Sequence, residues 1–314
     1  MNNISTVAIL GAGTMGANIA LNLAVHGMEV HLTDIDAAQL ERGLSTIRKN
    51  AGSLCEHGLL DRDADEVVTR VTCLPVLEEA VAEVDLVIEA VPEVIETKEC
   101  LFRKLEHATG SDVIIASNTS TFVPSRLCAA FDRACTATRF VVMHYWNPAH
   151  LMPLVEVVPH ETTDPRVLDK VRALLDRCGK QAVILRKEVS GFVGNRLAFA
   201  LQREAMWMVA EGVASPDDID TVARAGFGRR IPVTGIFGTA DLGGLDVYRA
   251  ICDQLFPSLC NDREAPDILR RLVESGRLGV KTGEGWREYS DREIKEWQER
   301  LADNLVHFAQ NDTR

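Results

Sequence analysis

Gly11-Ala-Gly-Thr-Met-Gly16 follows directly on an apolar run, Thr6 to Leu10, and leads into Met15 to Val25, where apolar residues recur at helical spacing. Three glycines so spaced say little alone, but between a strand and a helix they constrain the chain heavily. Gly11 permits a tight turn, and Gly13 lets backbone approach a pyrophosphate. Gly16 allows the helix to pack close to the strand, its N-terminus facing the anion. Further strands are expected at Glu29 to Thr33, Asp85 to Glu89, Val113 to Ser117 and Phe140 to Met143. Helical patterns, notably Ala37 to Leu54 and Lys98 to Ala108, separate most of them. Strands alternating with helices predict an α/β fold: a Rossmann-type, doubly wound, mainly parallel sheet.

Asp34 falls at the end of the second expected strand, where a carboxylate can accept hydrogen bonds from a ribose diol and repel a 2′-phosphate. Ile35 and Asp36 follow, with no arginine to receive such a phosphate. The expected cofactor is therefore NAD rather than NADP.

Beyond Gly179 the texture changes. Gln181 to Leu185 reads as a last strand, and after Ser190-Gly191 nothing reads as strand for many residues. Phe192 to Gly212 is one long amphipathic pattern closed by glycine. A second helix opens at Ser215-Pro-Asp-Asp218, with Ser215 as N-cap, Pro216 at the first helical position and acidic residues at the positive end of the dipole. Two domains are expected, a nucleotide-binding domain over 1–187 and an all-helical C-terminal domain over 188–314.

The balance of 46 acidic against 34 basic residues, net −12, offers no cationic patch for nucleic acid. The start, MNNISTVAIL, lacks the features of a signal peptide, and no apolar run reaches the roughly 18 residues of a membrane span. A cytoplasmic chain with no membrane partner is expected. Eight scattered cysteines, without C-x-x-C pairs or companion histidines, read as reduced, buried, small hydrophobes, and no metal site is expected.

The segment HYWNPAHLMPLVE sets His144 and Glu156 twelve positions apart (156 − 144). His144 follows the expected strand Phe140 to Met143, at a carboxyl end where open α/β sheets bind ligands. Glu156 lies in an apolar run, Leu154 to Val158, where a carboxylate is costly to bury without a partner. If His144 is that partner, Glu156 fixes the imidazole tautomer and leaves the other nitrogen free to take a proton from an alcohol. Ser117-Asn118-Thr119-Ser120 and Gly191-Phe-Val-Gly-Asn195-Arg196 bring further polar groups to the same region, although both also suit ordinary caps and turns.

Taken in order along nearly the whole chain, GAGTMG, Asp34, EAVPE (Glu89 to Glu93), SNTS, HYWNP, Glu156, GFVGNR and Lys281-Thr-Gly-Glu-Gly285 resemble the L-3-hydroxyacyl-CoA dehydrogenases. The resemblance implies that His144 is the catalytic base, Glu156 its orienting partner, and Ser120 and Asn195 the groups that hold the substrate oxygen. It assigns Gly11, Ala12, Gly13, Thr14, Met15, Gly16, Asp34, Ala90, Glu93, Lys98, Ser120 and Asn147 to the cofactor. It also implies oxidation of the L-3-hydroxy group of a 3-hydroxyacyl-CoA or 3-hydroxybutyryl-CoA type substrate to the 3-keto product, and a homodimer formed through the C-terminal domain. Members that use coenzyme A thioesters commonly carry a lysine-rich K-K-G-K-L stretch, and here Glu56-His-Gly-Leu-Leu60 stands in its place. Two alternatives follow. The same chemistry could act on a small free hydroxy acid of the gulonate, carnitine or pyridoxine-breakdown type, or the chain could be a non-catalytic, crystallin-like NAD-binding protein.

Overall fold

The computed structural model describes residues 4–312. Eight strands, β1 Thr6–Leu10, β2 Glu29–Thr33, β3 Val71–Cys73, β4 Leu86–Glu89, β5 Ile114–Ser117, β6 Phe140–Tyr145, β7 Leu154–Pro159 and β8 Gln181–Ile184, form one sheet in the order β3-β2-β1-β4-β5-β6-β7-β8. Neighbouring pairs are parallel except β6 and β7, which run antiparallel. The strand order reverses between β1 and β4, the point at which a doubly wound sheet opens a ligand crevice at its carboxyl edge.

The sequence of β1 shows why both faces of this sheet are covered. Val7 and Ile9 join one buried cluster with Val30, Leu32, Ile88 and Met143, while Ala8 and Leu10 join a second with Val87, Ile115 and Phe140. A strand buried on both faces reads as a continuous apolar run. On the second face Phe102 and Phe140 meet edge to face at 5.4 Å, and Phe131 closes the group at 5.9 and 5.7 Å.

The structure corrects three readings of the sequence. β6 runs two residues beyond Met143, so His144 lies inside the strand rather than after it. β3, only three residues long, was not foreseen, because such a segment carries too little periodicity to register. All eight cysteines are unpaired thiols, but Cys100 and Cys135 are exposed, whereas Cys128, Cys178 and Cys260 are buried.

The chain divides into two compact units, 1–195 together with 301–314, and 196–300. The second contains the helices Pro216–Ala225, Ile231–Gly243, Leu245–Leu255 and Asp267–Glu274. Ser215 caps the first of these, its hydroxyl accepting from the Asp218 amide at 3.2 Å. Gly235, at φ 65°, kinks the second. Helices Gly194–Ala210 and Asp291–Asp312 pass from one unit to the other, and in the first unit Gln310 Nε2 donates to the His57 carbonyl at 2.8 Å. Among the described residues no helix is long and apolar enough to cross a membrane.

Candidate active site

The glycine turn lies where the carboxyl ends of β1, β2 and β4 converge. Gly11 donates from its amide to the Thr33 carbonyl at 2.8 Å, and Ala90 donates to the Leu10 carbonyl at 2.8 Å. Gly11 stands at φ 103°, and a Cβ there would meet the Ala90 carbonyl oxygen at 2.7 Å. A Cβ on Gly16 would fall 1.8 Å from the Gly11 oxygen, so the helix Thr14–Val25 sits against the turn as closely as a glycine permits. Around Gly13 the space is open, with nothing within 4 Å of an added Cβ. Gly13 is also the N-cap, and no side chain caps the helix there, which leaves its first amides for an anion. Thr14 and Met15 form the first helical turn, and Ala12 is buried behind it.

Asp34 is fixed at the neighbouring strand end. Its carboxylate accepts from the Ala12 amide at 2.8 Å and the Asp36 amide at 3.0 Å, tying β2 to the glycine turn. Gln39 adds a bond from its amide nitrogen to the Ala12 carbonyl at 2.9 Å. An open, uncapped helix start beside an anchored carboxylate fits a dinucleotide, with pyrophosphate at the former and ribose at the latter.

The carboxyl ends of β4 and β5 carry a second polar cluster. Lys98 and Glu89, 1% and 0% exposed, form an ion pair at 2.5 Å, and Lys98 reaches Glu93 at 3.2 Å. Glu93 Oε1 accepts from the Thr119 and Thr121 hydroxyls at 2.5 and 2.7 Å and from the Ser120 and Thr121 amides at 3.1 Å each. Burial raises the Glu93 carboxyl, yet these hydroxyls and Lys98 bring it below its ordinary value. The loop that presents Ser120 is thereby fixed. Asn195 Nδ2 donates to the Ser120 carbonyl at 3.2 Å, and the Asn118 side chain accepts from the Tyr145 amide at 2.9 Å, joining the loop to β6.

His144 and Glu156 are direct cross-strand partners in the antiparallel β6–β7 pair. His144 Nδ1 and Glu156 Oε2 lie 3.0 Å apart, with both residues buried. The carboxylate takes three more donors, Trp146 Nε1 at 3.2 Å and the amides of Val193 and Gly194 at 2.9 and 3.0 Å. Desolvation pushes the Glu156 carboxyl up, but the His144, Gly194, Val193 and Trp146 bonds outweigh it and hold the group at about 2. An ionised Glu156 makes His144 Nδ1 the donor, so Nε2 is the nitrogen left to take a proton. The imidazole is flanked by the Trp146 ring at 5.6 Å and the Phe192 ring at 5.3 Å.

Of the residues singled out from sequence, the structure joins Ser120 with Asn195 and Glu93 with Lys98, pairs His144 with Glu156, and sets Gly11 through Gly16, Asp34 and Ala90 around the glycine turn. Asn147 is exposed just past β6, with no hydrogen bond to the others. Sequence reasoning quoted Glu89 and Ser117 only within motifs, with no role of their own, and it gave no site role to Trp146, Phe192 or the Val193 and Gly194 amides. Glu89, a charge closing an apolar strand, and Ser117, a hydroxyl at a strand end, carried a legible signal.

Residues 6–189 match the NAD binding domain of 3-hydroxyacyl-CoA dehydrogenase, and residues 191–289 match its C-terminal domain. Over 304 residues, 96% of each chain, the sequence is 36% identical to 5-formyl-3-hydroxy-2-methylpyridine 4-carboxylate 5-dehydrogenase of Mesorhizobium japonicum. It is 33% identical over 291 residues to a probable 3-hydroxybutyryl-CoA dehydrogenase of Bacillus subtilis, covering 92% of this chain and 99% of that one. A solved structure of 5-formyl-3-hydroxy-2-methylpyridine 4-carboxylic acid 5-dehydrogenase, described as an NAD+ dependent dismutase, aligns at 34% identity with a TM-score of 0.91, covering 99% of both chains. With both domains matched in order and relatives aligned along nearly its full length, the chain belongs to the 3-hydroxyacyl-CoA dehydrogenase family of NAD-dependent oxidoreductases.

Proposed function

We propose that the protein oxidises a hydroxyl group on a small free carboxylic acid, with His144 as general base. The observation that carries the catalytic assignment is the buried His144–Glu156 hydrogen bond beside the loop that holds Ser120. Glu156, held ionised, keeps the imidazole in the tautomer whose Nε2 receives the hydroxyl proton, and it stabilises the imidazolium that results. Ser120 and Asn195 position the substrate oxygen. Bound NAD would supply the acceptor for the hydride that leaves the carbinol carbon. The glycine turn Gly11 to Gly16 would hold its pyrophosphate and Asp34 its adenosine ribose, while Ala90, Glu93, Lys98 and Asn147 would border the rest. These roles divide between a nucleotide domain over 1–187 and a substrate and dimerisation domain over 188–314.

Two observations favour a free acid over a coenzyme A thioester. The tip Glu56-His-Gly-Leu-Leu60 offers no lysine to a nucleotide phosphate, and Gln310 already bonds the backbone there. The relative aligned over 96% of both chains bears the name of a carboxylate dehydrogenase. A thioester substrate is the second reading, favoured by the Bacillus subtilis relative.

The homodimer is supported by the second unit's own surface. Among its described residues Cys260 is the one buried apolar side chain, whereas Phe237, Leu242 and Val233 are 84%, 79% and 83% exposed. So much unpartnered apolar area calls for a covering surface.

A panel of free hydroxy acids and 3-hydroxyacyl-CoA thioesters, followed by NADH absorbance, tests the substrate assignment. The expected result is turnover of a free acid and none of the thioesters. Turnover of thioesters alone would establish the second reading, and tight NAD binding without turnover of any member would favour a crystallin-like role.

A further inference from the structure

Glu89 is the last residue of β4, wholly enclosed, and unable to touch a ligand itself. Its carboxylate is nevertheless fully engaged. Oε1 accepts from Lys98 Nζ at 2.5 Å and from the Val91 amide at 2.8 Å, and Oε2 accepts from the Ser117 hydroxyl at 2.5 Å. Burial raises this carboxyl above its ordinary value, and Lys98, Ser117 and Val91 oppose that effect. A buried ion pair gains little stability over apolar residues of similar volume, so its presence calls for a reason other than stability. The location supplies one: β4 and β5 end beside the switch in strand order, at the edge where such sheets bind ligands.

From Glu89 the bonds lead outward. Lys98 is held on its buried side by Glu89 and the Val91 carbonyl, and on its outer side it meets Glu93. Glu93 gathers Thr119, Ser120 and Thr121, and Ser117, the residue before that loop, is bonded back to Glu89. The chain of bonds closes on itself. Each end of the segment Ser117 to Thr121 is tied to one of two carboxylates, and a single ammonium lies between them.

We propose that Glu89 is a positioning residue for cofactor binding, which fixes the Lys98 ammonium against Glu93 and so sets the cofactor-facing edge of the Ser120 loop. The inference rests on the reading of Glu93 and Lys98 as cofactor neighbours. Without the Glu89 anion, Lys98 loses its inner anchor and Glu93 its fixed counter-charge, while His144 and Glu156 keep every bond they have.

The test is titration of NADH, followed by its fluorescence, into full-length wild type, Glu89→Gln, Lys98→Met and the double variant, together with kcat and KM for NAD. Glu89→Gln is expected to weaken NADH by roughly 10- to 100-fold, the scale of one charge-assisted hydrogen bond, with a larger change in KM for NAD than in kcat. Because Glu89 acts through Lys98, the double variant is expected to bind no more weakly than Lys98→Met. Wild-type affinity in Glu89→Gln, or a double-variant loss equal to the product of the two single losses, overturns the proposal. Should Glu89→Gln fail to fold, the double variant, free of the unpaired buried charge, is compared with Lys98→Met. Equal affinities support the proposal, and a further tenfold loss overturns it. Failure of the wild type itself to bind NADH overturns the cofactor reading beneath it, an outcome distinct from the others.

Discussion

The proposed role of Asp34 in cofactor choice rests on one carboxylate whose position is fixed by two backbone amides rather than by a mobile side-chain partner. Catalytic efficiency is expected to favour NAD over NADP, and Asp34→Ala is expected to narrow that preference. Equal efficiency in the wild type contradicts the assignment. Glu156 makes a different prediction, about acid. Its carboxyl lies near 2 in the fold against an ordinary 4.5, so the folded state resists protonation. A depressed carboxyl stabilises the fold fully above about 4.5 and loses that contribution as pH falls through about 2. The melting-temperature gap between wild type and Glu156→Gln is therefore expected to shrink over that window, whereas a constant gap contradicts the sign. Both residues were legible in the sequence for one reason: a carboxylate stood where an apolar run or a strand end made it conspicuous. The donors other than His144 that hold Glu156 down were not legible. Trp146 reads as core, and the Val193 and Gly194 amides belong to a segment thirty-seven and thirty-eight positions away, brought near only by the fold.

The elements themselves were legible wherever periodicity was long enough. β1, β2 and the helix Thr14–Val25 follow from an apolar run, an alternating run and a 3.6-residue pattern. The antiparallel turn between β6 and β7 was not, because an apolar run does not reveal its direction in the sheet. That direction matters: antiparallel register is what places His144 opposite Glu156. At the glycine turn a helix approaches a strand as closely as a glycine permits. Gly16→Ala puts a methyl group 1.8 Å from the Gly11 oxygen and 3.3 Å from the Ile9 side chain, so the helix must retreat. Overpacking of this kind costs roughly 1–3 kcal/mol. Chemical denaturation is expected to show that loss, and NADH titration weaker binding in the protein that remains folded. Unchanged stability and affinity contradict a close-packed turn.

For the whole molecule, the two units contrast in how they bury apolar residues. The sheet-bearing unit encloses two buried clusters, whereas the helical unit exposes most of its large apolar side chains. Light scattering is expected to give twice the chain mass, and Phe237→Glu to shift it toward the single-chain value. A wild-type monomer contradicts the dimer. Composition could not reveal this, since 46% hydrophobic residues suits a self-contained globule equally well. The catalytic assignment draws on β6, β7, the loop after β5 and the start of the helix Gly194–Ala210, so it stands or falls on the fold that assembles them. Its most direct test is to measure, for wild type and His144→Ala side by side, NADH affinity and turnover of a substrate the wild type accepts. The expected result is unchanged affinity with turnover lowered by about 10²-fold or more, the scale of a positioned acid–base group. Equal turnover by the two proteins would contradict the assignment of His144 as the base.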